Sequence, residues 1–363
     1  HGKEVSMDDS IKTYKCPNCG AALTFDSKTQ KLHCSHCDTS IDVEAMKALS
    51  DTPSGTDQDN ARWNTSDAGS NWSSGEQQGM RSYHCPTCGA ELVTDETTAA
   101  STCAYCGSPV VLSDHLSGAK RPNYVIPFKV DKKTAKETLK NFYKGKIFLP
   151  RAFSAENHLE EISGIYVPFW LYSCESKGSF SFDATRTHHY TDGDYDVTET
   201  EHYLVLRDGE ARFNNIPVDG SSKMDDAYMD AIEPFDYSAI TDFHTDYLPG
   251  YAAQTYDEDA TACAPRATAR VKNTTIAAIR RTCDYTTLTP RTSKISTTQN
   301  SVDYALLPVW MLTTNWHGKS YHFAINGQTG KLIGDLPIDK GRFFSLLAGI
   351  TIPLGILLKL FIF

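Results

Sequence analysis

Two sets of four cysteines near the start of the chain constrain its fold more than any other feature. Each set has the form Cys-x2-Cys, fourteen residues, Cys-x2-Cys, and each member of the second set lies 69 positions after its counterpart in the first. Four thiolates in this pattern suit one tetrahedral Zn²⁺, so the sequence predicts two zinc ribbons and two zinc ions per chain. The first quartet is Cys16, Cys19, Cys34 and Cys37, and the second quartet is Cys85, Cys88, Cys103 and Cys106.

The residues between and after these cysteines favour tight metal-binding turns. Pro17 and Pro86 restrict the backbone inside the first Cys-x2-Cys of each quartet. Gly20, Gly89 and Gly107 follow cysteines and permit backbone angles that other residues resist. A module this small has almost no core, so zinc would supply most of its folding free energy.

Two alternatives to eight cysteine ligands remain open. The cysteines could instead form disulfide bonds in a secreted module. His33 and His36, beside the last two cysteines of the first quartet, could also replace a thiolate. They could equally be exposed neighbours, since the second quartet has Thr102 and Tyr105 at the same positions.

The charge balance argues against general nucleic-acid binding. The formal net charge is -10, whereas a nucleic-acid binder normally presents a basic face. Zinc held by four thiolates leaves each site about two charge units more negative.

Only Cys174, Cys263 and Cys283 lie outside the quartets, and this odd, scattered set is typical of a reducing compartment.

The order of these features predicts an α+β protein in five segments. They are 7–49, the first zinc ribbon; 50–81, a flexible linker rich in Ser, Gly and Asp; 82–116, the second zinc ribbon; 117–340, a β-rich body with a few helices; and 341–363, a transmembrane segment. Trp63 and Trp72 are unusual in such a linker. They indicate docking, on a partner or on the protein's own body, or local packing on a ribbon.

One short pattern occurs twice in the body. Pro168 and Trp170 precede Pro308 and Trp310 by 140 residues, with similar apolar flanks and a glycine-containing hairpin turn after each. We therefore expect two related β-meanders, which could be a pseudo-duplication or a chance resemblance. Proline inside each strand favours a sheet edge or a bulge. The threonine-rich segment 286–301 also has strand propensity.

Helices are expected at three places in the body. Asp131 can cap a helix over 132–144. A short helix over 223–232 should end before a proline. A longer helical region over 257–284 should be broken or kinked at Pro265.

The C-terminal residues 343–363 carry one charge in 21 positions. A helix of that length spans about 30 Å, the thickness of the hydrocarbon core of a bilayer. Lys340 and Arg342 flank its near side, which places the body in the cytoplasm under the positive-inside rule. Pro353 and Gly355 predict a kink or a re-entrant turn. Instead of crossing a membrane, the segment could be a hydrophobic tail buried in the protein or an interface between subunits of an assembly.

Together these segments resemble a bacterial family of proteins with transcription-factor-IIB-type zinc ribbons, also described as primosomal-helicase-like. The matching stretches are CPNCGAALTFD, TTAASTCAYCGSPVVL, NYVIPFKVDKKTAKETLKNFYKGK, ENHLEEISGIYVPFWLY, PVDGSSKMDDAYMDAIEPFDYS and LLPVWMLTTNWHGKSYHFAINGQTGKLIGDLPIDKGR. The resemblance covers nearly the whole chain. It implies a membrane-anchored cytoplasmic protein with no established reaction and a role in scaffolding or recruitment. It also implies flotillin-like (SPFH-domain) or phage-shock-like membrane-stress proteins as partners. The sequence leaves open whether the chain forms an oligomer. The last Cys-x2-Cys of each quartet lacks the proline that is common in the family.

The helicase description conflicts with the chemistry of the chain. A nucleotide-driven motor needs G-x4-G-K-[ST] to hold phosphates, and 327–331 is too short and is followed by Leu. The G-x-S-x-G, G-x-G-x-x-G and H-E-x-x-H motifs are also missing. Four thiolates around each zinc leave no position for an activated water.

The richest polar cluster in the body is His188 and His189 with Asp192, Asp194 and Asp196. It could hold a cation, or it could be an ordinary turn between strands. The sequence therefore predicts a membrane-tethered zinc-ribbon scaffold or adaptor that is not an enzyme. The alternatives are a nucleic-acid-binding zinc-ribbon protein and an enzyme with an unrecognised site in the body.

Overall fold

The computed structural model describes residues 14, 21–36, 40–43, 46, 61–113, 118–156 and 159–362. These residues form fourteen strands and five α-helices, an α+β protein dominated by strands. They fall into two compact units. Unit one comprises the described parts of 1–60, 177–210 and 275–296, and unit two comprises those of 61–176, 211–274 and 297–363.

The elements, in chain order, are β1 (Thr24–Asp26), β2 (Lys31–His33), β3 (Ser40–Asp42), β4 (Met80–His84), β5 (Glu91–Asp95), β6 (Val111–Ser113), β7 (Tyr124–Val125), α1 (Lys132–Tyr143), α2 (Arg151–Glu156), β8 (Ser163–Asp192), β9 (Tyr195–Asp219), α3 (Asp226–Ala231), β10 (Thr241–Asp242), β11 (Ala252–Gln254), α4 (Ala260–Arg280), β12 (Thr287–Trp316), β13 (Lys319–Asn326), β14 (Leu332–Gly334) and α5 (Lys340–Ile362).

Unit one contains a small antiparallel sheet in the order β1-β2-β3. Leu32, Ile41 and Met46 form its buried cluster, which is small because the strands are three residues long. A second apolar cluster in this unit joins the long strands to the end of α4. Its buried members are Phe180, Phe182, Ala184, Val205, Ile279 and Ile295.

Unit two is organised around a large sheet in which β8 and β12 are central. The strand order is β10-β7-β12-β8-β11-β5-β4-β6, with β13 on β12, β14 on β13 and β9 on β8. The pairs β7 with β12 and β11 with β8 are parallel. The pairs β10 with β7, β11 with β5, β12 with β13, β13 with β14, β4 with β5 and β4 with β6 are antiparallel. Near-continuous apolar runs in the two central strands are buried on both faces, as expected for strands covered on each side.

The strand connections of unit two occur twice. Apart from the short helix α2 in the first copy, the order β7-α1-β8-β9 is repeated as β11-α4-β12-β13. Each short first strand lies parallel to the long strand of the other copy: Ile165 pairs with Ala252, and Ala305 pairs with Tyr124. Because each copy supplies the partner strand of the other, neither copy can complete its own sheet alone.

The same side-chain and backbone contacts recur in the two copies. The Trp170 indole N–H donates to the Glu258 carbonyl at 2.9 Å, and the Trp310 indole N–H donates to the Val130 carbonyl at 2.8 Å. Each accepting carbonyl lies directly before the residue that caps the following helix. These buried hydrogen bonds therefore connect the central strands to the starts of α1 and α4.

In each copy a glycine backbone N–H donates a hydrogen bond to the proline of the central strand. The Gly220 N–H donates to the Pro168 carbonyl at 2.9 Å, and the Gly327 N–H donates to the Pro308 carbonyl at 2.8 Å. A Cβ atom on Gly220 would lie 2.8 Å from the Trp170 indole nitrogen, and one on Gly327 would lie 2.8 Å from the Pro308 Cβ. Both positions therefore require glycine because the neighbouring side chain leaves no room for a Cβ atom, and not because the backbone has a positive φ.

The position of the two prolines differs from the sequence-based expectation of an edge or a bulge. Pro168 and Pro308 lie in the central strands β8 and β12. The short strands pair only as far as Tyr166 and Leu306, two residues before each proline. A missing backbone N–H is tolerated there because the parallel pairing with the short strand has already ended.

The predicted helices are present in the body. α1 begins after Asp131, whose side chain accepts from the Thr134 N–H at 2.7 Å, and α3 ends before Pro234. α4 runs without a break through Pro265, which lies in its second turn. The threonine-rich segment forms part of β12, which confirms its strand propensity.

The sequence-based linker 50–81 packs on unit two wherever it is described. The Trp63 indole N–H donates to the Thr268 hydroxyl at 3.0 Å, and its ring lies edge-on to Tyr172. The Trp72 indole N–H donates to the Ala119 carbonyl at 2.9 Å. Between residues 61 and 79 the chain therefore docks on the protein's own body through its tryptophans, despite having little regular structure.

Candidate metal centre

The four cysteines of the second quartet meet at one point. The Sγ atoms of Cys85, Cys88, Cys103 and Cys106 all lie within 4.8 Å of one another. The closest pairs are Cys85 with Cys106 at 3.5 Å and Cys88 with Cys103 at 3.6 Å. A disulfide bond would need about 2.05 Å. The edge of a tetrahedron with Zn–S bonds of about 2.3 Å is about 3.8 Å, so these sulfurs are spaced to hold one metal ion.

Two equivalent turns supply the ligands. The Gly89 N–H donates to the Cys85 carbonyl at 2.8 Å, and the Gly107 N–H donates to the Cys103 carbonyl at 2.9 Å. Both glycines have a φ of 73°, which is the left-handed conformation that favours glycine. The Cys85 N–H then donates to the carbonyl of Ala90 to close its turn. The local sequence thus builds each half of the site without help from distant residues.

Three thiols of the second quartet, those of Cys85, Cys88 and Cys103, have pKa values shifted from the ordinary value for cysteine. Burial opposes ionisation of Cys85, but backbone N–H groups of Cys88 and Thr87 more than offset it and lower its pKa to about 7. Burial raises the pKa of Cys103 far above its usual range, and the nearby Cys88 raises it further. Four thiolates this close cannot all be charged without a positive ion between them.

The second quartet is built into the core of unit two. Cys85 is 0% exposed and Cys103 is 2% exposed, and both pack in a cluster with residues of the central strands such as Phe169. Strand β5 pairs with β11, with Val93 opposite Ala253. The predicted ribbon at 82–116 and the predicted body at 117–340 therefore share one sheet, and the second quartet packs in a buried cluster that includes residues of both.

Polar contacts fix the second turn of this site against distant parts of unit two. The Thr313 hydroxyl donates to the Tyr105 carbonyl at 2.9 Å. The buried Tyr105 hydroxyl hydrogen-bonds to the side chain of Gln254, whose amide donates to the Ser221 hydroxyl at 2.7 Å. Loss of the metal would release this turn and disturb strands β11 and β12 with it.

Lys223 lies beside the second quartet, and the sequence did not indicate this placement. Its Nζ lies 3.8 Å from the position of a Cβ on Gly89, in the first metal-binding turn, and 2.8 Å from an Asp257 carboxylate oxygen. The hydrogen bond that Lys223 donates to Asp257 raises the pKa of Lys223, and the nearby sulfurs of Cys88 and Cys103 raise it further. A cation here offsets the negative charge of a metal held by four thiolates. No local motif marks this residue, which lies more than 100 positions after the cysteines.

The first quartet is only partly described. Cys16, Cys19 and Cys37 lie outside the described residues, and Cys34 is buried directly after β2. The predicted second zinc ion and the ligand set of the first ribbon therefore stay predictions. His33, the proposed alternative ligand, shares a hydrogen bond with the Ser40 hydroxyl at 3.2 Å.

The histidine and aspartate cluster forms the end of the β8–β9 hairpin. His189 shares a hydrogen bond with the Thr198 hydroxyl at 2.9 Å, and the Thr191 hydroxyl donates to Asp196 at 3.2 Å. His188, Asp192 and Asp194 are exposed in unit one. Among the described residues, only the second quartet brings three or more potential metal-ligand atoms together.

The C-terminal residues form one continuous helix, α5, of 23 residues. Asp339 caps its start by accepting from the Arg342 N–H at 3.1 Å. In the described part of the chain it is the one helix long and apolar enough to cross a membrane, and its apolar side chains are exposed. The helix continues through Pro353 without a re-entrant turn.

Comparison with known proteins places the chain beside one relative of nearly equal length. No protein-family model and no solved structure matches it. It is 36% identical over 351 residues to YdjG, an uncharacterized protein of Bacillus subtilis (strain 168), and the match covers 96% of this chain and 97% of YdjG. An identity of this size over almost the full length of both proteins shows common ancestry and a common fold. The chain belongs to the same protein family as YdjG of Bacillus subtilis.

Proposed function

We propose that this chain is a membrane-anchored cytoplasmic protein that binds two zinc ions and acts as a scaffold or adaptor for other proteins. The observation that carries the proposal is the pairing of a closed four-cysteine cluster in the core of unit two with an exposed apolar helix at the C-terminus. The first gives a rigid body, and the second gives an attachment to a bilayer. The membrane partners suggested by the family resemblance, flotillin-like or phage-shock-like proteins, belong to the proposal.

Zinc is the metal that the donor set favours. Four cysteine sulfurs in a tetrahedral arrangement suit Zn²⁺ or an iron–sulfur cluster, and a single ion at the centre requires sulfur spacings near those seen. Such a site has every coordination position filled by protein. It stabilises a fold and gives no place for a metal-bound water, so the role we propose for the metal is structural rather than catalytic.

The cytoplasmic location rests on charge and on thiol chemistry. Lys340 and Arg342 stand at the start of α5, where the positive-inside rule puts them on the cytoplasmic side. Cys174, Cys263 and Cys283 are described as thiols without disulfide bonds. A reducing compartment keeps such thiols, and the ligands of the second quartet, available in that form.

The test uses the full-length protein purified from membranes in detergent. We expect two zinc ions per chain by elemental analysis, a defined set of co-purifying membrane proteins, and loss of those partners from a Cys34→Ser variant. Cys174→Ser is the matched control, because it makes the same change at a buried thiol outside both quartets. Fewer than two zinc ions would contradict the metal assignment. An identical set of partners in wild type and Cys34→Ser would contradict the adaptor role of the first ribbon.

A further inference from the structure

An exposed apolar groove lies where unit two meets the start of α5. It has a volume of about 330 Å³ and is lined by two loop segments, Gly145–Leu149 and Leu336–Ile338. Ile147 is 69% exposed and Ile338 is 66% exposed, which is unusual for isoleucine in a folded body. We call this feature the apolar groove.

Direct contacts hold the apolar groove at the base of α5. The Asp339 N–H donates to the Phe148 carbonyl at 2.8 Å, and Arg342 donates to the Leu149 carbonyl at 3.1 Å. The rings of Phe148 and Phe343 lie 5.5 Å apart. The groove therefore has a defined position relative to the first turn of the helix.

The chain length between the groove and the helix limits their separation. Ile338 is two residues before Lys340, where α5 begins. Two extended residues span at most about 7 Å. If α5 enters a bilayer at Lys340, Ile338 must lie within that distance of the entry point, at the level of the lipid headgroups. Ile147 lies next to Phe148, which is hydrogen-bonded to the same turn.

The charge beside the apolar groove is opposite to that of the whole protein. Residues 129–149 contain seven lysines against Asp131 and Glu137, a net charge of +5, whereas the chain as a whole carries -10. Lys140, Lys144 and Lys146 are exposed at the end of α1 and directly before Ile147. Basic residues near a membrane surface are attracted to anionic lipids.

We propose that the apolar groove and the adjacent lysines form a second membrane contact, which lays unit two on an anionic bilayer surface. Ile147 and Ile338 insert at the interface, and Lys140, Lys144 and Lys146 pair with lipid phosphates. This inference rests on the proposed membrane anchoring. It adds that unit two has a fixed orientation on the bilayer surface, whereas attachment through α5 alone would leave its orientation variable. We favour a bilayer over a protein partner for two reasons. Helix α5 already holds the apolar groove near the lipid headgroups, and the positive charge of the adjacent lysines complements anionic headgroups.

Fluorescence quenching by brominated lipids tests the contact in the full-length chain. The protein carries Ile147→Trp and is reconstituted into vesicles of brominated phosphatidylglycerol or brominated phosphatidylcholine. Leu112→Trp is the matched control, because Leu112 is 57% exposed on β6. We expect the added tryptophan at position 147 to be quenched at least twofold more than the one at position 112. The excess should be larger in the anionic vesicles.

Charge reversal tests the part played by the lysines. Lys140→Glu, Lys144→Glu and Lys146→Glu, combined with Ile147→Trp, should reduce the excess quenching in anionic vesicles to the level seen in neutral vesicles. The role of the lysines would be overturned if three samples were quenched equally: Ile147→Trp in anionic vesicles, Ile147→Trp in neutral vesicles, and the charge-reversed variant in anionic vesicles. Equal quenching of Ile147→Trp and Leu112→Trp would overturn the membrane contact itself.

Alkaline carbonate extraction separates this inference from the proposed anchoring. If the chain stays in the membrane and position 147 is not quenched, the anchor stands and the second contact is refuted. If carbonate extracts the chain, the anchoring fails and the inference fails with it. A dimer in detergent that Ile147→Asp with Ile338→Asp dissociates would also overturn the proposal, since a second copy would then cover the groove.

Discussion

The second quartet should be necessary for the folding of unit two, and Cys103→Ser tests this directly. Cys103 is 2% exposed, and its turn is hydrogen-bonded through Thr313 to the central strand β12. A structural zinc site contributes about 10–16 kcal/mol of apparent binding free energy. A folded protein has about 5–15 kcal/mol of stability in total. Loss of this one ion is therefore comparable with the whole stability of the unit.

Tryptophan fluorescence is the appropriate assay because all five tryptophans lie in unit two. We expect Cys103→Ser to abolish the cooperative thermal transition of that signal and to lower zinc content by one ion per chain. Cys34→Ser should lower zinc content equally but leave the transition in place, because Cys34 belongs to unit one. Cys174→Ser is a control for replacing a buried thiol with a hydroxyl.

One result would refute the reasoning. If Cys103→Ser melts within about 3 °C of Cys174→Ser, the second quartet contributes no more than about 1 kcal/mol to a unit of this size. The cysteine cluster would then be an addition to a core that folds without it. Zinc that remains bound in Cys103→Ser would equally contradict a site in which all four sulfurs are required.

Three other predictions concern unit two. Trp170→Phe and Trp310→Phe each remove a buried hydrogen bond, so each should lower the free energy of unfolding by about 1–3 kcal/mol in urea denaturation followed by circular dichroism, with nearly additive effects in the double variant. Burial raises the pKa of Asp219 to about 6. The folded state therefore binds the Asp219 proton more tightly than the unfolded chain does, and the stability that this proton provides is lost as the pH rises through 6. Between pH 5 and pH 7.5 the wild type should therefore lose about 1 kcal/mol more stability than Asp219→Asn in paired melts, and parallel curves would contradict this. Lys223→Met should weaken zinc retention by about tenfold in chelator competition, whereas Lys319→Met should leave it unchanged.

The geometry of the second quartet could be predicted from the sequence because it is local. Each Cys-x2-Cys and the glycine after it make their own turn, and the carbonyl of Cys85 is satisfied by an N–H four residues on. The spacing of the four cysteines therefore indicates the site without any knowledge of the rest of the fold. The membrane-length helix is predictable for the same reason, since its composition alone sets its length.

The place of the second quartet in the fold could not be predicted in this way. Val93 of β5 pairs with Ala253 of β11, and Tyr105 bonds to a side chain 149 positions away. Strand pairing between distant segments depends on which apolar faces meet, and a short strand such as Glu91–Asp95 carries no mark of its partner. Trp63 and Trp72 did carry a signal, because large aromatic side chains in a polar segment need a surface to cover them. The sequence left open whether that surface belonged to this chain.

The second quartet is connected by hydrogen bonds to one of the two repeated copies of unit two. The two copies share a scaffold of tryptophan, proline and glycine, but the residues beside the glycines differ. In the first copy Ser221 follows Gly220 and bonds to Gln254, which connects the turn to the second quartet. In the second copy Asn326 precedes Gly327 and bonds to the carbonyls of Ile232 and Pro234 instead. The shared scaffold sets the fold, and these differences assign the metal module to one copy.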